Sequence, residues 1–164
     1  MIAMKFVTVP FDHPDASALN DLVQREYHER YGDGGDRTVL EAGMFAPPNG
    51  LFLVVYDDAG RPVGTGGWRS QDSEAEGYQR GDAELKRMFV IRQARRQGLS
   101  RRILARLEQD ARAAGRRRMV LETGDQQPEA IALYCSSGYR PAPRKFGYYR
   151  CHESSRCFAK PLLP

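Results

Sequence analysis

The segment "VIRQARRQGLSRRIL", Val90 to Leu104, sets five arginines around Gly98, and an apolar-periodic run follows it. A strand that enters a helix through a glycine-containing turn leaves the first backbone N–H groups of that helix without intrahelical partners. Those groups carry about half a unit of positive charge and form a ready site for phosphate. Gly98 permits close backbone approach, and the small Ser100 leaves room for a bulky anion. Three chemistries fit such a junction: a basic patch for nucleic acid, a solvated helix face, or a pocket for a phosphate-bearing ligand. A nucleotide P-loop needs Gly-x-x-x-x-Gly-Lys-Ser/Thr and a dinucleotide fold needs Gly-x-Gly-x-x-Gly after an early strand; the chain has neither. Cys135, Cys151 and Cys157 form no C-x-x-C pair, and His13, His28 and His152 show no metal spacing, so no metal is expected.

Charge is unevenly distributed along the 164 residues, although the net value is only +4. Ten arginines lie between Arg92 and Arg118, against Glu108 and Asp110. Five carboxylates lie between Gln71 and Glu84, against Arg80 alone. An anionic ligand near the first segment and a cationic one near the second would suit this asymmetry. Solvated faces would produce it equally well. The longest apolar run, "LFLVVY" at 51–56, is far too short to span a bilayer. The start lacks a leader-like apolar segment, and the odd cysteine count fits free thiols in a reducing cytoplasm.

The elements that must position this junction follow from periodicity and turn residues. "MKFVTVP" reads as a strand ended by Pro10, and Leu19, Leu22, Val23 and Tyr27 mark a helix capped by Asp15 or Ser17 and stopped by Gly32. "VLEAGMF" reads as a short second helix, and "LFLVVYD" with "RPVGTGGWRS" as a hairpin turned at "DDAG". "SQDSEAEGYQRGD" reads as an exposed loop before the strand "AELKRMFVI". Leu99, Ile103, Leu104, Leu107, Ala111 and Ala114 then mark one face of a helix ending at Gly115. "RRMVLETG" is a strand, "PEAIALYCSSG" a helix with Pro128 in its first turn, and two closing strands follow. The order β-α-α-β-β-β-α-β-α-β-β predicts one α+β domain over 1–164, with a mixed, mostly antiparallel sheet of about seven strands and helices on both faces.

With "ELKRMFV", the glycine turn, the helix and "MVLETG" in this order, the chain resembles the GNAT superfamily of N-acetyltransferases. The family's acetyl-CoA signature, Gln/Arg-x-x-Gly-x-Gly/Ala, is filled by "RRQGLS" through Arg95, Gly98 and Ser100, with serine where glycine or alanine is usual. A second signature is similar to "QPEAIALYCSSGY": Leu133, Tyr134, Gly138 and Tyr139 match, and Gln127 stands where asparagine is common. The resemblance implies acetyl-CoA as cosubstrate, its pyrophosphate held by backbone N–H groups of Gln97, Gly98, Leu99, Ser100 and Arg101. It implies a pantetheine arm paired like an added strand with the backbone of Met88, Phe89 and Val90, and phosphates within reach of Arg95 and Arg96.

Acetyl transfer needs a neutral amine, and at pH 7 roughly one lysine-like amine in a few thousand is free base. A positioned carboxylate, acting directly or through water, therefore helps. By the resemblance Glu84 is that base and Tyr134 is the acid that protonates the departing thiolate. Tyr27, Tyr31, Asp33 and Asp36 fall in the helix–loop that overhangs the acceptor site in this family, and Trp68 could line the same cleft. With the acidic loop 72–84 these residues suggest a cationic amine, and the aromatics of "KFGYYRCHESSRCF" suit the pocket or a subunit contact. The expected function is a cytoplasmic acetyl-CoA-dependent N-acetyltransferase acting in a ternary complex, with a homodimer left open. Two readings from other classes stand beside it: a catalytically silent acyl-CoA-binding regulatory domain, and a nucleic-acid binder using the 92–118 arginines.

Overall fold

A computed structural model describes residues 3–32 and 35–163. Its elements are β1 (Lys5–Thr8), α1 (Pro14–Tyr31), β2 (Gly50–Tyr56), β3 (Pro62–Gln71), β4 (Asp82–Val90), α2 (Leu99–Ala113), β5 (Arg118–Gly124), α3 (Pro128–Ser136), β6 (Arg140–Pro141) and β7 (Ser155–Pro161). They form a seven-stranded mixed sheet in the order β1-β2-β3-β4-β5-β7-β6, in which only β4 and β5 run parallel. No helix among the described residues is long and apolar enough to cross a membrane.

The expected second helix is a single 3₁₀ turn, Ala42–Phe45, because Pro47 and Pro48 follow at once and supply no N–H groups to extend it. The cap of α1 also differs from expectation. His13 Nδ1 accepts from Asp15 N at 3.1 Å, with Pro14 at the first helical position, so neither Asp15 nor Ser17 is the cap. Gly32 ends the helix as expected, at φ +69, its N–H bonded to His28 O.

The apolar faces of the helices divide into two cores on opposite sides of the sheet. Leu99, Ile103, Leu104 and Leu107 of α2 pack with Leu85 of β4 and Met119 of β5. Ala16 and Leu19 of α1 pack with Phe45, Phe52 and Val54. Gly66 lets α2 lie close on β3, since a Cβ there would come within 2.9 Å of Ile103 and 3.1 Å of Leu107.

Strand β4 departs from regular pairing on both of its edges. Thr65 pairs with Phe89 and Gly67 with Lys86, so Gly66 alone faces both Arg87 and Met88, and Arg87 takes the left-handed φ of +56. On its other side β4 meets β5 only through Asp82, Glu84 and the residue between them. Beyond that point the two parallel strands part, and the β4 edge from Leu85 onward has no strand partner there.

Candidate active site

A cleft of about 130 Å³ opens where β4 and β5 diverge. Tyr27 and Tyr31 reach it from successive turns of α1, Lys86 from β4, and Glu122, Thr123 and Gly124 from the end of β5. Gln127 closes one side at the start of α3, and Tyr149, His152 and Ser155 close the other. The structure brings Tyr27, Tyr31 and Asp36, expected near the acceptor, to one cavity together with Gln127, expected on the cofactor side, and the closing segment adds aromatic wall through Tyr149. Asp33 lies outside the described residues. The Tyr31 hydroxyl is buried without a hydrogen-bond partner among them, pressed so close to Gly124 that any Cβ there would overlap it.

Glu122 carries no signal of its own in the sequence, where "MVLETG" shows only a carboxylate near a strand end. In the fold it faces the cleft, accepting from Ser155 Oγ at 2.9 Å and from the Tyr149 backbone N–H. Burial, reinforced by the nearby Glu84 charge, lifts its pKa to about 7 against the pull of Ser155 and Lys86. A carboxyl group so poised exchanges a proton near neutrality.

Glu84 is not in the cleft. It is 1 % exposed, and both carboxylate oxygens are engaged: Arg69 Nε donates to Oε1 at 2.8 Å and the Tyr78 hydroxyl donates to Oε2. Tyr78 is held protonated by burial and by the Glu84 charge. Trp68, expected to line the cleft, is fully buried on the opposite face, in the α2 core, with Nε1 donating to Asp110 at 2.8 Å. It belongs to the core because its position in β3 alternates onto the α2 side.

The acidic loop likewise does not serve the cleft. Asp72 pairs with Arg116 at 2.7 Å, and Asp82 takes both Arg118 Nε and Nη2, at 2.8 and 2.7 Å. The arginine cluster is dispersed in the same way. Arg101 reaches Ser136 at the end of α3 and Ser137 just beyond it, and Arg102 lies over the Phe6 ring. Arg95, expected to meet phosphate, turns inward: it donates to Val90 O at 2.8 Å, pairs with Glu26 of α1 at 3.0 Å and covers the Phe89 ring. Its guanidinium thus ties α1 to the end of β4. Arg96 and Gln97 remain exposed in the turn.

Tyr134 is buried on α3, its ring edge-on to Tyr139. Burial and the neighbouring Tyr27 hydroxyl raise its pKa, so it holds its proton throughout the neutral range. Tyr27, at the cleft wall, is raised by burial to about 12. The two hydroxyls thus form an uncharged pair running from the cleft into the core.

Two of the segments expected to hold acetyl-CoA, the glycine turn and the end of β4, leave backbone groups free for it, whereas the Arg95 side chain is engaged elsewhere. Gly98 caps α2 at φ +74 with no side chain bonding the first turn, and the first intrahelical N–H to find a carbonyl is that of Arg102, on Gly98 O. The N–H groups of Leu99, Ser100 and Arg101 are therefore open to a pyrophosphate. The unpaired β4 edge through Met88, Phe89 and Val90 offers backbone groups to an extended arm, although Val90 O is already shared with Arg95. A Cβ on Gly98 would touch nothing, so its need is conformational. Gly98→Ala should cost about 1–2 kcal/mol for the left-handed residue; a fall of a few degrees in Tm and weaker CoA binding by calorimetry would register it.

Comparison with known proteins agrees with this architecture. The acetyltransferase (GNAT) family profile matches residues 16–139. An IAA acetyltransferase of Azospirillum brasilense is 36% identical over 162 residues, 97% of this chain and 100% of that protein. A solved structure from Klebsiella pneumoniae, assigned to the acyl-CoA N-acyltransferases, superposes with a TM-score of 0.78 at 28% identity, covering 98% of both chains. An IAA acetyltransferase from Bacillus cereus shares the fold, with a TM-score of 0.67 at 16% identity over 97% of this chain and 99% of that one. A matched profile over most of the chain and a full-length relative, on a sheet whose parallel strands part beside a glycine-capped helix, make this chain a member of the GNAT acetyltransferase family.

Proposed function

We propose that the protein transfers an acetyl group from acetyl-CoA to a primary amine by direct attack within a ternary complex, with Glu122 as the base and Tyr134 as the acid. Glu122 carries this reading: it is a cleft carboxylate whose proton affinity lies near neutrality, beside the opening between β4 and β5. Acetyl-CoA supplies an activated thioester carbonyl. Glu122 takes a proton from the incoming ammonium, and Ser155 Oγ with the Tyr149 N–H holds the carboxylate in orientation. Tyr134, held neutral by burial, retains a proton to give to a departing thiolate. Tyr27 and Tyr31 wall the acceptor end. Glu84 supports the base from below by adding negative charge near Glu122.

The test is thiol release from acetyl-CoA against a panel of primary amines. Turnover of at least one acceptor is expected, and Tyr134→Phe should lower kcat by about 10²-fold with little change in acceptor KM. Unchanged kcat in Tyr134→Phe would remove the acid. A panel without turnover, in a protein whose Tm acetyl-CoA still raises, would favour a silent acyl-CoA-binding domain.

A further inference from the structure

The bulge in β4 sets two cations on one face of the sheet. Normal alternation would send Lys86 and Arg87 to opposite faces. With the extra β4 residue opposite Gly66, Leu85 and Met88 both pack into the α2 core, while Lys86 and Arg87 both turn to the cleft side and meet Asp36. The two side chains, each only 8 % exposed, stand side by side.

Their shared counter-charge is incomplete. Asp36 Oδ2 lies 3.4 Å from Lys86 Nζ and 3.5 Å from Arg87 Nη1, longer than the roughly 2.7–2.9 Å of a well-formed charge-assisted hydrogen bond. The other oxygen of Asp36 is occupied by the Thr38 N–H at 2.9 Å. Burial works against this carboxylate's charge, yet Lys86 and Arg87 hold its pKa below the ordinary value. Arg87 Nη1 is buried with no hydrogen-bond acceptor among the described residues. Lys86 and Asp36 line the cleft itself, and Arg87 acts electrostatically on Tyr27, which lines it too.

A buried guanidinium with an open donor is costly unless an oxyanion completes it. Its planar fork suits a carboxylate or a phosphonate. The remaining cleft carboxylate, Glu122, is the one that must receive the proton of the amine. A polycationic acceptor would bring further ammonium groups toward two buried cations and leave Nη1 unsatisfied. We infer that the acceptor carries an oxyanion beside its amine, a carboxylate or its phosphonate counterpart, gripped by Arg87 with Lys86. This rests on the transferase reading and narrows its substrate class to zwitterionic amines, in place of the cationic amine that the acidic loop suggested.

The experiment compares amino acids with their carboxamides, aminoalkylphosphonates and spermidine, read as kcat/KM in thiol release. A thermal shift of the CoA-saturated protein by each acceptor supplies a binding readout independent of turnover. Acids should exceed their amides by about 10–10²-fold, mainly in KM, as expected for a buried charged hydrogen bond. Phosphonates exceeding carboxylates would identify the larger oxyanion as the natural group. Arg87→Met should collapse the acid-to-amide ratio toward one, and Arg87→Lys should restore part of it. The ratio is taken within one preparation, so partial unfolding of a variant does not alter it. Equal use of acid and amide, or preference for spermidine, would overturn the inference and leave the transferase standing. Absence of turnover with every amine would instead sink the transferase reading, and equal thermal shifts by acid and amide would then sink this one as well.

Discussion

Glu122→Gln is expected to lower kcat/KM by about 10²–10⁴-fold at pH 8 while raising Tm. The loss comes from removing the group that takes the amine proton. The gain comes from linkage. With a folded pKa of about 7 above the ordinary 4.5, native Glu122 binds a proton more tightly than it does in the unfolded chain. Its contribution to stability is thus complete below pH 4.5 and is lost as pH rises through 7, where the buried carboxylate must ionise. The amide never ionises, so the variant should melt higher than wild type at pH 8, with the difference shrinking toward pH 5. In wild type, kcat/KM should rise with pH through an inflection near 7, and this limb should vanish in the variant. A variant that keeps the limb, or melts lower at pH 8, would show that the proton goes elsewhere.

Glu84→Gln should behave in the opposite way. It leaves Arg69, 7 % exposed, without its carboxylate and leaves the Tyr78 hydroxyl facing an amide. Breaking a buried ion pair by removing one partner costs about 3–5 kcal/mol. For a chain of this length that is a fall in Tm of roughly 6–20 °C. Activity per folded molecule should largely persist below the new melting point. The inflection near pH 7 should move to lower pH, because the Glu84 charge is one cause of the high proton affinity of Glu122. Disappearance of the inflection in Glu84→Gln would return the base to Glu84.

The two carboxylates show where the sequence is legible and where it is not. The glycine turn before α2, Tyr134 on its short helix and the two tyrosines one turn apart on α1 are local patterns, and local patterns carry their own geometry. Glu84 and Glu122 look alike in sequence, each beside apolar strand residues. What separates them is a cross-strand arginine 15 positions away and a strand separation with no local signature. Trp68 fails for a related reason, since nothing within "TGGWRS" says which face of the sheet its pleat presents. The acidic loop misled because its counter-ions, Arg116 and Arg118, arrive from beyond α2.

The bulge at Arg87 also bears on how this strand can change over time. β4 is two segments out of phase by one residue: Leu85 faces α2 from an odd position, whereas Met88 and Val90 face it from even ones. Deleting any single residue between Lys86 and Met88 would bring the halves into one frame, yet it would also remove a cleft cation or withdraw an apolar side chain from the α2 core. An insertion would shift one half against its partners on β3. Point substitutions along this stretch can be graded in effect, but changes of length cannot, so length variation in relatives should accumulate in the loops on either side and leave this strand's residue count fixed.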